Sequence, residues 1–98
     1  MLRKDLDDLD ANGQKGDWAF ANDDEILILR WGDSADDLAM CYVKPQKHIA
    51  EGTVPHPVWT WDGNYEAPTL SPSILVHGGK GQPDRWHGYL RAGKLETA

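Results

Sequence analysis

Seventeen residues, Trp59 to Leu75 (WTWDGNYEAPTLSPSIL), constrain the fold of this chain more than any other stretch. Val58-Trp59-Thr60-Trp61 alternates, which predicts a strand carrying both tryptophans on one side. Asp62-Gly63 follows at once and is the strongest short-range hairpin signal in the sequence. Pro68 and Pro72 lack the N–H that a central strand must donate, so Ala67 to Ser71 is expected to be an extended, irregular crossing. Ser73 to His77 then reads as a second strand. Such a stretch suits short antiparallel strands with tight connections.

The flanking segments agree. Glu25 to Trp31 holds the unbroken apolar run Ile-Leu-Ile-Leu, which predicts a strand buried on both faces. Ala39 to Lys44 reads as another strand, ended by Pro45, and Gln46 to Pro57 as a loop. Gly78-Gly79-Lys80-Gly81 is a glycine-rich connection. Trp86 to Arg91 and Lys94 to Thr97 flank Ala92-Gly93 as a terminal hairpin. Leu2, Leu6 and Leu9 fall at helical spacing, with Asn12-Gly13 as a stop. The predicted fold is mostly β, with a β-rich α+β arrangement as the alternative. It is a small antiparallel sheet or sandwich of five to six short strands, with hairpins at Asp62-Gly63 and Ala92-Gly93. Residues 1–24 read as an acidic amino-terminal arm or short helix, and residues 25–98 as a single β-rich domain.

Composition narrows the function. Five tryptophans in 98 residues supply much of a core, since each buries about 150–250 Å². Residues 1–40 hold eleven acids against four bases, whereas residues 41–98 are close to balanced. Direct DNA binding is not expected of such a chain, because affinity for phosphates rests on Lys and Arg. The acidic half suits solvation, a basic partner surface, or mimicry of nucleic acid. Asp5, Asp7, Asp8, Asp10, Asp23, Asp24, Asp36 and Asp37 are the candidate partner-binding residues. No run approaches the ~20 apolar residues of a membrane helix, and the first residues lack the apolar segment of a signal peptide. Cys41 is the sole cysteine, which fits the cytoplasm (the host's, if the chain is phage-encoded).

No catalytic set assembles from spacing alone. His56 with Asp62 or Glu66 suggests proton transfer, but Asp62 is better explained by turn chemistry and Glu66 as a surface residue. Ser71-Pro72-Ser73 offers hydroxyls without the G-x-S-x-G elbow, so both serines are expected to bond local backbone. Cys41, within a strand, reads as a small buried hydrophobe. The glycine loop at 78–81 lacks the spacing of a phosphate loop.

Trp59, Trp61, Asp62, Gly63, Asn64, Glu66, Pro68, Thr69, Ser71, Pro72 and Ser73, with His87 and Gly93 in the terminal hairpin, resemble an uncharacterised family of small phage and prophage proteins that carry the label ammonia monooxygenase. The resemblance covers residues 57–95, and Trp61 to Ser73 is its specific part. It implies a zinc-like site: many members have C-x-x-C near the position of Cys41 and a Cys-His pair where this chain has Trp86-His87. Here the thiolate pairs are missing. Cys41, His48, His77 and His87 are the candidate ligands, and none stand at paired zinc-ligand spacing. No cofactor is therefore expected, with Trp86 filling the volume of a lost metal.

The functional expectation is a small, non-catalytic accessory protein of phage or prophage type. It would be a monomer or homodimer that binds a macromolecule, most simply a host or phage protein. A zinc-binding module or metal-dependent hydrolase is the first alternative, and an acidic nucleic-acid mimic the second.

Overall fold

A computed structural model describes residues 1–45, 51–52 and 57–98. Within them lie one helix, α1 (Leu6–Asn12), and eight strands. These are β1 (Trp18–Ala21), β2 (Ile26–Arg30), β3 (Leu38–Tyr42), β4 (Thr60–Trp61), β5 (Leu70–Ser71), β6 (Ile74–Val76), β7 (Trp86–Arg91) and β8 (Lys94–Thr97). They form three small antiparallel sheets, ordered β1-β2-β3, β4-β5 and β6-β7-β8. The mostly-β expectation holds, with more and shorter strands than the five or six foreseen. Among the described residues no helix is long and apolar enough to cross a membrane.

Strand β2 organises the core because both its faces are apolar. Leu27 and Leu29 point into one buried cluster with Trp18, Cys41, Leu70, Ile74, Trp86 and Leu90. Ile26 and Ile28, one residue out of phase, face a second cluster with Leu9 of α1 and Ala19 of β1. The helix therefore covers one face of the first sheet, and side chains of the later strands cover the other. Asp5 caps α1, its Oδ1 accepting the Asp8 N–H at 2.8 Å. Leu9 is the helix's buried residue, whereas Leu6 is exposed and Leu2 lies outside the helix, bridged in parallel to Trp18.

Residues 18–21, read from sequence as part of an arm, are a strand. Trp18↔Leu29 and Ala21↔Ile26 bound its register with β2, and Trp18 is only 2% exposed. The turn joining the two strands is Asn22-Asp23-Asp24, all three at positive φ. Asn and Asp tolerate that region because their short polar side chains can bond locally. Thus the 24/25 boundary expected from sequence falls at the end of a β-turn, and the core draws on both sides of it.

Asp17 ties the amino-terminal segment to this sheet. Burial alone would raise its carboxyl, but the Gln14 N–H, the Met1 ammonium and the Arg3 guanidinium outweigh it and hold the group below the usual carboxylate range. A carboxyl depressed on folding stabilises the fold fully above about pH 4 and loses that contribution as pH falls through its folded value. Asp17→Asn is accordingly expected to lower Tm at pH 7, with the gap to the parent narrowing as pH drops below 4. Melts at pH 3, 5 and 7 check it; a gap independent of pH would remove the carboxylate from the account.

The connection from β4 to β5 is longer than a two-residue turn and is held by its own polar side chains. Asp62 Oδ1 accepts the N–H groups of Asn64 and Thr69, at 3.1 and 3.2 Å. Asn64 Oδ1 accepts those of Glu66 and Ala67, both at 3.0 Å. Gly63, at φ +83°, opens the loop. Loop and terminal hairpin then clasp each other: Thr69 Oγ1 accepts the Ala92 N–H at 2.9 Å, and Pro68 C=O accepts that of Gly93 at 2.9 Å. The β7–β8 turn has Ala92 and Gly93 both at positive φ, as a two-residue type I′ hairpin requires.

Candidate functional site

A serine hydroxyl and a histidine imidazole are brought into contact on the third sheet. Strand β6 pairs with β7 so that Ile74 faces Gly88 and Leu75 faces His87. Ser73 immediately precedes β6 and shares the face of Leu75, because side chains alternate along a strand. His87 stands on that same face, diagonally across the pair and within reach of Ser73. Ser73 Oγ lies 3.0 Å from His87 Nε2. Fourteen residues separate the two in sequence, and only the β6–β7 register joins them.

Neighbouring elements fix this corner. Trp59 Nε1 donates to the Ser73 carbonyl at 3.3 Å, placing the backbone that carries the hydroxyl. Behind His87, the inward residues Trp86, Gly88 and Leu90 are buried, while His87 and Arg91 are exposed and Tyr89 half-buried. Trp86 stacks on Trp31, with ring centroids 6.2 Å apart, and donates to Thr97 Oγ1 at 3.1 Å. The face of β7 is thus anchored from below and open above. Beside the pair lies a shallow depression of about 330 Å³, walled by residues 69–73 on one side and by Tyr89 and Arg91 on the other. A second depression, of about 350 Å³, lies by Arg3, Phe20 and Tyr65, away from the Ser–His pair.

The hydroxyl of Ser73 thus bonds to an imidazole rather than to local backbone. Chemically, a neutral histidine whose Nε2 carries the lone pair can accept the serine proton, which makes the oxygen a nucleophile. The arrangement needs Nδ1 to hold the ring's proton. Among the described residues no carboxylate hydrogen-bonds to His87.

Among the described residues the candidate metal ligands do not converge. Cys41 is completely buried in β3, and burial pushes its thiol up to about 12, so it is a small core hydrophobe. His77 is exposed beside Asp84, at 3.4 Å. His48, like His56, lies outside the described residues. Among the described residues no three or more His, Cys, Asp or Glu side chains are grouped to hold an ion.

Several of the acidic candidates have duties inside the fold. Asp5 caps α1. The Asn12 side chain and then the Lys4 N–H hold Asp8 below the usual carboxylate range. Asp24 accepts the Tyr65 hydroxyl at 2.6 Å, and this bond raises the phenol above its ordinary value. Asp37 accepts from Arg85 at 3.2 Å and from the Ser34 N–H at 3.2 Å. Asp7, Asp10, Asp23 and Asp36 are exposed. The motif tryptophans serve the core: Trp59 and Trp61 both pack against the larger cluster, and Trp61 meets Phe20 and Tyr65, each at 5.0 Å between centroids.

A small, mostly β domain with a surface serine–histidine pair is the class that this geometry defines. A family model described as bacterial ubiquitination-like system serine protease (BubE) matches residues 33–98, two thirds of the chain, and the chain belongs to that family. The matched span includes Ser73, His87 and the whole depression beside them. The family is part of a bacterial ubiquitination-like system. No curated protein and no solved structure gives a significant match.

Proposed function

We propose that this chain is a serine hydrolase acting on peptide bonds, with Ser73 as nucleophile and His87 as its general base. The observation that carries the reading is the 3.0 Å contact between Ser73 Oγ and His87 Nε2. It is supported by the description of the family as serine proteases. In the first half-reaction His87 takes the Ser73 proton as Oγ bonds to the substrate carbonyl carbon. The resulting imidazolium then protonates the departing amine as the C–N bond breaks, leaving an acyl ester on Ser73. A water attacks that ester, losing its proton to His87, and Ser73 leaves as the alcohol, its proton returned from the ring. Such pairs are recognised by geometry and role rather than by a fixed sequence signature, so the absence of a nucleophile elbow is no obstacle.

A second reading keeps the chain in the same system as a non-catalytic accessory that binds a protein partner. One observation favours it: no described carboxylate orients the His87 ring, and a histidine without such a partner is a weaker base. Treatment with a fluorophosphonate, followed by peptide mapping, separates the two. Activated serines react with such reagents and ordinary surface hydroxyls do not. One adduct, on Ser73 of the folded protein and lost on unfolding, is the expected result. An unmodified Ser73 after prolonged exposure would leave the binding reading standing alone.

A further inference from the structure

The outward face of β7 presents His87, Tyr89 and Arg91 in a row, every second residue of an alternating strand. The ring centroids of His87 and Tyr89 are 6.3 Å apart, and the Arg91 guanidinium carbon lies 4.0 Å from the Tyr89 ring centroid. Arg91 and Tyr89 line the same depression as Ser71 and Ser73. The row thus begins at the reactive pair and ends at a cation. At ~3.3 Å per strand residue, Arg91 lies roughly 13 Å beyond His87, the span of three to four extended peptide residues.

The far end is electrostatically poised for an anion. Lys94 stands directly opposite Arg91 across the β7–β8 pair, so two cations meet there. Arg91 has an internal counter-charge in Glu96, at 3.4 Å, and both side chains of that pair are about half exposed. Exposed pairs of this kind contribute little and exchange readily with another carboxylate. The guanidinium already rests over the Tyr89 ring, which limits its freedom, and its fork of N–H donors matches a planar, two-oxygen acceptor.

We propose that Arg91, supported by Tyr89, binds a carboxylate of an extended peptide substrate, three to four residues from the bond that Ser73 attacks. This rests on the serine hydrolase reading. The carboxylate is either an Asp or Glu side chain or the free carboxyl terminus of the peptide, since both offer the same two oxygens.

The test uses the full chain and a positional-scanning library of internally quenched octapeptides. The parent is expected to favour Asp or Glu over Asn or Gln at one position, three or four residues from the cleaved bond. Arg91→Gln is expected to lose about tenfold in kcat/KM on the acidic peptides and nothing on the neutral ones, the worth of one charge-assisted hydrogen bond. Arg91→Lys should recover part of the preference. Matched peptides ending in a free carboxylate or an amide at the same spacing distinguish the two sources. Equal cleavage of acidic and neutral peptides by the parent overturns the proposal. So does an Arg91→Gln enzyme slowed equally on both, which marks a structural role. Should the library remain uncut while a fluorophosphonate still modifies Ser73, carboxylate recognition fails and the nucleophile stands. If Ser73 is also inert, the hydrolase reading itself fails.

Discussion

Ser73→Ala is expected to abolish modification by a fluorophosphonate and to cut peptide hydrolysis by about 10³-fold or more, the range seen when a nucleophile is removed from an activated serine site. The melting temperature should stay within about 2 °C, since the lost hydroxyl bonds only the exposed His87 ring. Ser71→Ala supplies the control, because Ser71 is an exposed neighbouring hydroxyl in β5 on the same wall of the depression. Near-parental rates are expected of it. The stronger diagnosis comes from His87→Ala and the double variant. Nucleophile and base act as one unit, so removing both should cost about as much as removing either. If the double variant instead fell by the product of the two single losses, the residues would contribute independently. The 3.0 Å contact would then be a surface hydrogen bond and not a catalytic pair.

Legibility of this fold in its sequence followed the period of the apolar residues. The Ile-Leu-Ile-Leu run of β2 announced burial on both faces, and the structure divides its side chains between two clusters. Ala92-Gly93 placed the terminal hairpin because a type I′ turn demands positive φ at both positions. β1 was hidden for the opposite reason. Trp-Ala-Phe-Ala is four residues with two helix formers, and its turn is made by Asn22-Asp23-Asp24, which as a sequence looks like part of an acidic tail. Only pairing with β2 makes it a strand. Asp62-Gly63 was correctly read as a turn, but the loop it opens is held by Asp62 and Asn64 accepting backbone N–H groups up to seven residues away. Such bonds leave no periodic trace.

The candidate site was less legible than the fold, and the cause is register. Ser73 and His87 both stood among the residues of the family resemblance, yet each alone has an ordinary explanation: a serine beside a proline, a histidine on a strand. Their relation depends on Leu75 facing His87 rather than Trp86 or Gly88. A slip of one residue would turn His87 into the core and Trp86 outward. Register is set here by features of the whole sheet, namely the inward row Trp86, Gly88 and Leu90 and the hairpin beyond it. The family resemblance pointed instead to Cys41 as a metal ligand, and the same sheet logic buries that residue.

Gly88→Ala is expected to be the most destabilising small substitution near the site, and its effect tests the register directly. Gly88 is buried between His87 and Tyr89, with its α-carbon against β8. A methyl group there would stand well inside van der Waals contact with both the Trp86 ring and the Glu96 carbonyl oxygen. The carbonyl belongs to a ladder and cannot swing away. The indole is held by its stack on Trp31 and its bond to Thr97. Either β8 moves outward or Trp86 leaves its pocket, and overpacking of this kind costs about 1–3 kcal/mol. For a domain of this size that is a fall in Tm of roughly 5–20 °C. Gly63→Ala gives the comparison: its φ is +83° but no atom lies within 4 Å of the added carbon, so only backbone strain of about 1 kcal/mol opposes it. Thermal melts of the two variants should therefore rank Gly88 well above Gly63. At a temperature where both remain folded, Gly88→Ala should also lose Ser73 reactivity, because the displaced strand carries His87, whereas Gly63→Ala should keep it. A Gly88→Ala variant that melts with the parent would mean that β7 and β8 pack differently. The alignment of His87 with Ser73, which rests on that packing, would have to be given up with it.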